Sequence, residues 1–373
     1  MSIIINKIKM RYVYGCLFLV LTSISCQNKQ QVESKEKVST IDSTLQIKVT
    51  EILKDKMEEV NALSGQVIIM ETKTGEIKAM VGIENTDSFN YGKGENIFTY
   101  RKESSLMPVV SLLAALESGK ATFTEQFDTS KGNPLLSEKP FGNGLLTISE
   151  GIKANSSLLT AKVIEQVYGD DPNAFYAQLN KMNYGKPYQL DGMPNLKSIT
   201  IVTPEHEIWE PSVLPLASLG FYQRIAPIQM LTFYNAIAND GKMVQPQLYK
   251  GTMEVINPQI ASKANIGNIK EALIEHTVEG LDKTSYSESV PIAGKQGFIE
   301  LSIGDNETEF ALEFCGYFPV DNPQYSIIVS INKMGLPVDG GLMAGDVFRK
   351  IVDCLILNNR ISLVNGINNK RNV

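Results

Sequence analysis

The sequence predicts an α+β domain: an antiparallel β-sheet made from both chain ends, packed against helices, with a mostly helical subdomain inserted. Three observations carry this reading. Residues 66–70 and 76–81 are apolar, strand-like runs joined by the tight turn Lys73-Thr74-Gly75, a β-hairpin pattern. Strand patterns return only in the last third, at residues 294–301, 309–318 and 325–331. The long stretch between them is dominated by apolar residues at helical spacing.

Taken in order, the chain opens with a segment outside the fold. Lys7, Lys9 and Arg11 form a positive region, and residues 12–24 are an apolar run too short to span a bilayer comfortably. Ser23-Ile24-Ser25-Cys26 follows, similar to the signal that precedes a lipidated cysteine, although Ser23 stands where leucine is usual. Residues 1–25 are therefore read as a signal peptide of lipoprotein type, with Cys26 the lipidated residue and the product exported to the cell envelope and membrane-anchored. An ordinary cleaved signal and an uncleaved anchor are the rival readings. Residues 26–44 are polar and charged, which predicts a disordered tether. Its Ser34-Lys35-Glu36-Lys37 carries no chemistry, because a disordered segment cannot preorganise a site.

The folded domain is expected over residues 45–360, with 361–373 a tail. Leu45, Val49, Ile52, Leu53, Met57 and Val60 predict a helix over residues 45–63. After the hairpin, residues 84–99 read as a loop rich in Asn, Gly and Asp. Residues 104–118 read as a helix apolar nearly all round, hence buried, with Ser104 as N-cap, Pro108 in the first turn and Gly119 as the stop. Residues 128–144 read as loop. Thr147 and Glu150 have capping-box spacing. Helices follow at residues 156–168, 171–182, 225–238 and 269–278, and a last one at 345–357. Residues 187–211 read as irregular.

Composition excludes several functions. A net charge of −6 over 373 residues, with no basic stripe, argues against nucleic acid. Cys315 and Cys354 read as buried free thiols, and no cysteine or histidine has metal-ligand spacing, so no metal or cofactor is expected. His206 and His276 are isolated in sequence and read as structural or surface residues.

At this point the chain resembles the transpeptidase domain of penicillin-binding proteins. The resemblance covers roughly residues 45–358 and rests on landmarks in the right order. They are the hairpin GQVIIMETKTGEIKAMVG, the stretch YRKESSLMPVVSLLAALESG, LLTISEGIKANSSLLTAKVIEQVYG, IAPIQMLTFYNAIANDGKMVQPQL, VPIAGKQGF, FCGYFPVDNPQYSIIVSI and GGLMAGDVFRKIV. It implies the β-lactamase/transpeptidase-like fold. It also implies an acyl-serine mechanism built on three motifs, Ser-x-x-Lys, Ser-x-Asn and Lys-Thr-Gly. The serine needs a nearby base, and a lysine one helical turn on supplies it. A second serine relays the proton, and the third motif holds the substrate carboxylate.

This chain departs from each motif. The first aligns as Ser104-Ser105-Leu106-Met107, so the nucleophile position is kept and the base position holds a thioether. Pro108 fixes that register. The second aligns as Asn155-Ser156-Ser157, with Asn155 at the relay position. The third is Lys295-Gln296-Gly297 followed by Phe298, with Gln296 replacing the carboxylate-binding hydroxyl. Ser157, Gln296, Gly297 and Phe298 are the substrate-binding positions that the resemblance implies. Lys102 and Lys153 flank the motifs, but helical register aims neither at Ser104.

The resulting expectation is a catalytically degenerate, envelope-tethered domain that binds a peptidoglycan stem peptide or a cell-wall synthesis protein, with β-lactams as further candidate ligands. The rivals are an active D,D-transpeptidase or D,D-carboxypeptidase acting through Ser104 with Lys295 as base, and a scaffold with a vestigial cleft.

Overall fold

The computed structural model describes residues 37–87, 90–93, 103–131, 136, 144–185, 190, 200–278, 285–303 and 307–358. The Cys26 motif, Lys102 and the tail 361–373 lie outside the described residues.

Six strands form the main sheet: β1 (Ala62–Glu71), β2 (Ile77–Asp87), β3 (Asn90–Lys93), β4 (Ala293–Ile303), β5 (Glu307–Phe318) and β6 (Tyr325–Met334). Their order is β4-β5-β6-β1-β2-β3, antiparallel throughout. The chain ends meet where β1 runs against β6, from Ala62 opposite Lys333 to Glu71 opposite Tyr325. Both sheet faces are covered. Alternation along a strand sends Ile68 and Met70 to one core and Val67 and Ile69 to the other. That is why the central strands read as continuous apolar runs and not as alternating ones.

Two helices cover one face: α1 (Ser43–Val60) and, after the chain returns, the C-terminal helix. The other face carries α2 (Met107–Glu117), α3 (Ile148–Lys153), α4 (Ser157–Tyr168), α5 (Pro172–Lys181), α6 (Pro227–Ala238) and α7 (Lys263–Val278). The C-terminal helix, α8 (Asp346–Leu357), follows a single π-turn at Gly341–Gly345. Short ribbons pair Gln126–Asp128 with Leu145–Thr147, and Thr200–Ile201 with Gln223–Arg224. The expected capping box is present: the Thr147 hydroxyl accepts from the Glu150 N–H, and the Glu150 carboxylate accepts from the Thr147 N–H.

Several expectations are corrected. Part of the expected loop at 84–99 is strand, since β2 continues to Asp87 and β3 pairs with it at the sheet edge, where polar residues are tolerated. Helix α7 begins six residues earlier than its apolar spacing suggested. The fold also begins before residue 45: the buried Thr40 hydroxyl reaches the carbonyls of Ile77 at 2.8 Å and Gln247 at 2.9 Å. Cys315 is buried as expected, whereas Cys354 is only half-buried.

The α1–α8 layer is tied by charge. Lys56, almost fully buried, lies 2.8 Å from Asp346, which also pairs with Arg349 at 2.9 Å and Lys350 at 2.9 Å. Burial alone would raise the Asp346 carboxyl, but these three cations hold it at about 2. Because the folded value is depressed, the stabilisation is full above the ordinary carboxylate range and is lost as pH falls from about 4 towards 2. Asp346→Asn should destabilise the domain by roughly 2 kcal/mol at pH 7, less than a fully buried pair because part of the carboxylate meets solvent. Urea midpoints measured at pH 7 and pH 3 check this; a variant that loses as much at pH 3 as at pH 7 would contradict it.

Candidate functional site

The site forms where the segment entering α2 meets the inner face of β4 and β5. Ser104 does not cap α2. The N-cap is Leu106, with no side-chain cap bond, and Pro108 occupies the first turn as expected. The Ser104 hydroxyl instead donates to Glu313 Oε2 at 2.8 Å and accepts from the Leu106 N–H at 3.4 Å. Ser105 gives the same oxygen two more bonds, from its N–H at 2.9 Å and its hydroxyl at 3.1 Å. Ser104 is 1% exposed and Glu313 2%. A buried carboxylate needs such donors to offset its lost hydration.

Strand geometry puts Glu313 there. In β5, Glu313, Cys315 and Tyr317 face the helical side, while Leu312 and Phe314 face α1 and α8. Glu313 stands opposite Gly297 on β4 and Ser330 on β6. Two small neighbours leave the slot through which the carboxylate reaches the serines. The serine segment sits directly on Gly297: a Cβ there would lie 2.6 Å from Ser105 Oγ and 2.8 Å from the Ser105 carbonyl. It is held from behind as well, because a Cβ on Gly220, whose φ is +105°, would lie 1.9 Å from the Ser104 carbonyl. Tyr234 adds a hydrogen bond to the Leu106 carbonyl at 3.0 Å.

The second and third motifs also meet. The Lys295 ammonium donates to Asn155 Oδ1 and to the Gln296 carbonyl. Lys295 is 1% exposed, and Asn155 sits at φ +53° just before α4. Ser156, not Ser157, caps α4, accepting from Leu159 at 3.2 Å. Ser157 is half-buried. Met107 is fully packed in the helical-side core and offers no base. Gln296 differs from its expected substrate-facing role: its side chain is buried, with Oε1 against the turn at Gly340. Phe298 is half-exposed. Lys153 is engaged with Glu275 at 3.2 Å.

Glu313, Ser105 and His276 also belong to this region, although none of them stands at a defining motif position. His276 is fully buried behind β4, with Nε2 accepting from the Gln296 N–H at 3.4 Å and Nδ1 3.2 Å from the Lys153 carbonyl. Burial, with Lys295 nearby, pushes it down to about 3, so it is neutral at physiological pH. The tautomer protonated at Nδ1 satisfies both contacts. Burial likewise raises the phenols of Tyr184 and Tyr234, and the Glu313 charge adds to this, so neither supplies a base. Only Glu313 left a signal in the sequence: an acidic residue in the middle of the apolar strand ALEFCGYF.

A family model described as the penicillin binding protein transpeptidase domain matches residues 65–353. The probable peptidoglycan D,D-transpeptidase PenA of Neisseria gonorrhoeae is 21% identical over 347 residues, 88% of this chain and 58% of that protein. The chain thus spans little more than half the length of this relative. Among solved structures, the transpeptidase domain of Burkholderia pseudomallei penicillin-binding protein 3 superposes with a TM-score of 0.72 at 21% identity, covering 86% of this chain and 96% of that one. Penicillin-binding protein 3 of Mycobacterium tuberculosis complexed with ampicillin gives 0.72 at 20% identity, over 89% and 80%.

The contact at Gly297 is testable without reference to activity. Gly297→Ala must push Ser105 away or strain β4, an overpacking cost of about 1–3 kcal/mol. The expected outcome is a lowered urea midpoint with an unchanged m-value; an unaltered midpoint would show that the serine segment moves off the strand freely.

Proposed function

This chain belongs to the penicillin-binding protein transpeptidase family, and on that premise we propose a catalytically degenerate, envelope-tethered transpeptidase domain that binds a peptidoglycan stem peptide or a cell-wall partner without turnover. The observation that carries the reading is the state of Ser104, buried and donating its proton to Glu313, with a methionine at the base position. General-base assistance is worth about 10²–10⁴-fold, and a thioether cannot provide it. Asn155 cannot relay a proton, and losses at groups that act together do not simply multiply. The active alternative needs Lys295 as base. Its ammonium is instead spent donating to Asn155 and the Gln296 carbonyl, which favours a structural role.

Ligand class is supported by kinship. Relatives are named D,D-transpeptidases, and a structural neighbour is complexed with ampicillin. Incubation of the purified protein with a fluorescent penicillin, followed by a denaturing gel, should show no covalent band. A band that disappears in Ser104→Ala would overturn the degenerate reading. Saturable binding of a D-Ala-D-Ala peptide without hydrolysis is the expected companion result, and its absence would leave a scaffold.

The tether is proposed to be lipid-anchored through Cys26. No helix among the described residues is long and apolar enough to cross a membrane. Cys26→Ala should move the protein out of the detergent-extractable membrane fraction or leave it unprocessed. Unchanged membrane association and mobility would refute lipidation at that residue.

A further inference from the structure

Three donors converge on one oxygen of Glu313: the Ser104 hydroxyl, the Ser105 N–H and the Ser105 hydroxyl, at 2.8, 2.9 and 3.1 Å. We infer that Ser104 and Ser105 form a carboxylate-binding site and that Glu313 is its resident ligand.

The geometry distinguishes this from incidental packing. The donors come from two consecutive residues, and the Leu106 N–H bonds to Ser104 Oγ from behind, orienting that hydroxyl's proton towards the carboxylate. The carboxylate comes from a strand more than 200 residues away in sequence. It rises through a gap bounded by Gly297 and Ser330, the small residues that flank it across the sheet. The same contact seats Ser105 on Gly297, so the serine segment lies directly against β4 at that residue. A base role for Glu313 is weaker on the same geometry. Its Oε2 already accepts three hydrogen bonds, one of them from the Ser104 hydroxyl itself, so it serves as a shared acceptor for the whole serine segment.

The ligand class follows from the donors. A small monocarboxylate, or the C-terminal carboxylate of a peptide, would make the same three bonds if Glu313 were absent. A peptide carboxylate must therefore compete with Glu313, which regulates the binding proposed above and rests on the reading of the site as non-catalytic.

Glu313→Ala tests this by chemical complementation. The variant should melt roughly 5 °C below the wild type, the loss expected for leaving buried donors unpaired. Sodium formate should recover part of that loss in a saturable way. Sodium chloride at equal ionic strength should not, and neither salt should give the wild type a saturable rise. Removing the donors, in Ser104→Ala/Ser105→Ala/Glu313→Ala, should abolish the formate effect. A folded Glu313→Ala protein with the wild type's formate response overturns the inference, as does formate rescue that survives loss of both serines. If the alanine variant does not fold, Glu313→Ser carries the same comparison. Penicillin labelling of the wild type reports separately on catalysis, so a labelled wild type with intact formate rescue would sink the non-catalytic reading alone.

Discussion

The pairing of β1 with β6 is the constraint on which everything else rests. It joins residues 62–71 to residues 325–333 and makes one sheet of two chain ends. The central strands are then buried on both faces, so every backbone polar group in them must be paired within the sheet. The long intervening segment has to leave the sheet and return to it, and it packs as helices over one face. The motif positions are consequences of that route. Ser104 lies in the segment that enters the first helix of the insert, Asn155 lies midway, and Lys295 returns on the edge strand β4.

The fold was legible to the extent that apolar period reported burial. The hairpin, α2, α4, α6 and the three C-terminal strands all declare themselves because their apolar residues repeat at 2 or 3.6, or run continuously where both faces are covered. The polar edge strand β3 and the early turns of α7 did not, because neither presents enough apolar surface to show a period. The site divided in the same way. Ser104, Asn155, Lys295 and Gly297 were found from motif order, and the structure brings Asn155 against Lys295. Glu313 shows in the sequence only as an acidic residue within an apolar strand, and its partnership with Ser104 and Ser105 is out of reach, since it spans the chain and depends on which face of β5 an odd-numbered residue takes. His276 looked isolated because its partners are backbone groups, which no side-chain motif reports.

The side chains at the motif positions are better understood as a set of paired groups than one by one. Lys295 has an acceptor in Asn155, the Ser104 hydroxyl has one in Glu313, and Met107 completes an apolar core. A buried ammonium and a buried carboxylate each keep the hydrogen bonds that offset desolvation. The motif side chains are thus held by partners within the protein itself.

His276 carries a consequence for how the domain meets acid. The folded protein keeps this imidazole neutral until about pH 3, whereas an unfolded chain protonates its histidines near 6.5. Between those values the unfolded state binds a proton that the native state refuses, so each step down in pH drains stability from the fold. Asp346 adds to that drain only at the lower end. The imidazole buried behind β4 therefore sets an acid tolerance: it stays neutral in mildly acidic surroundings, but at a growing cost in stability relative to the unfolded chain.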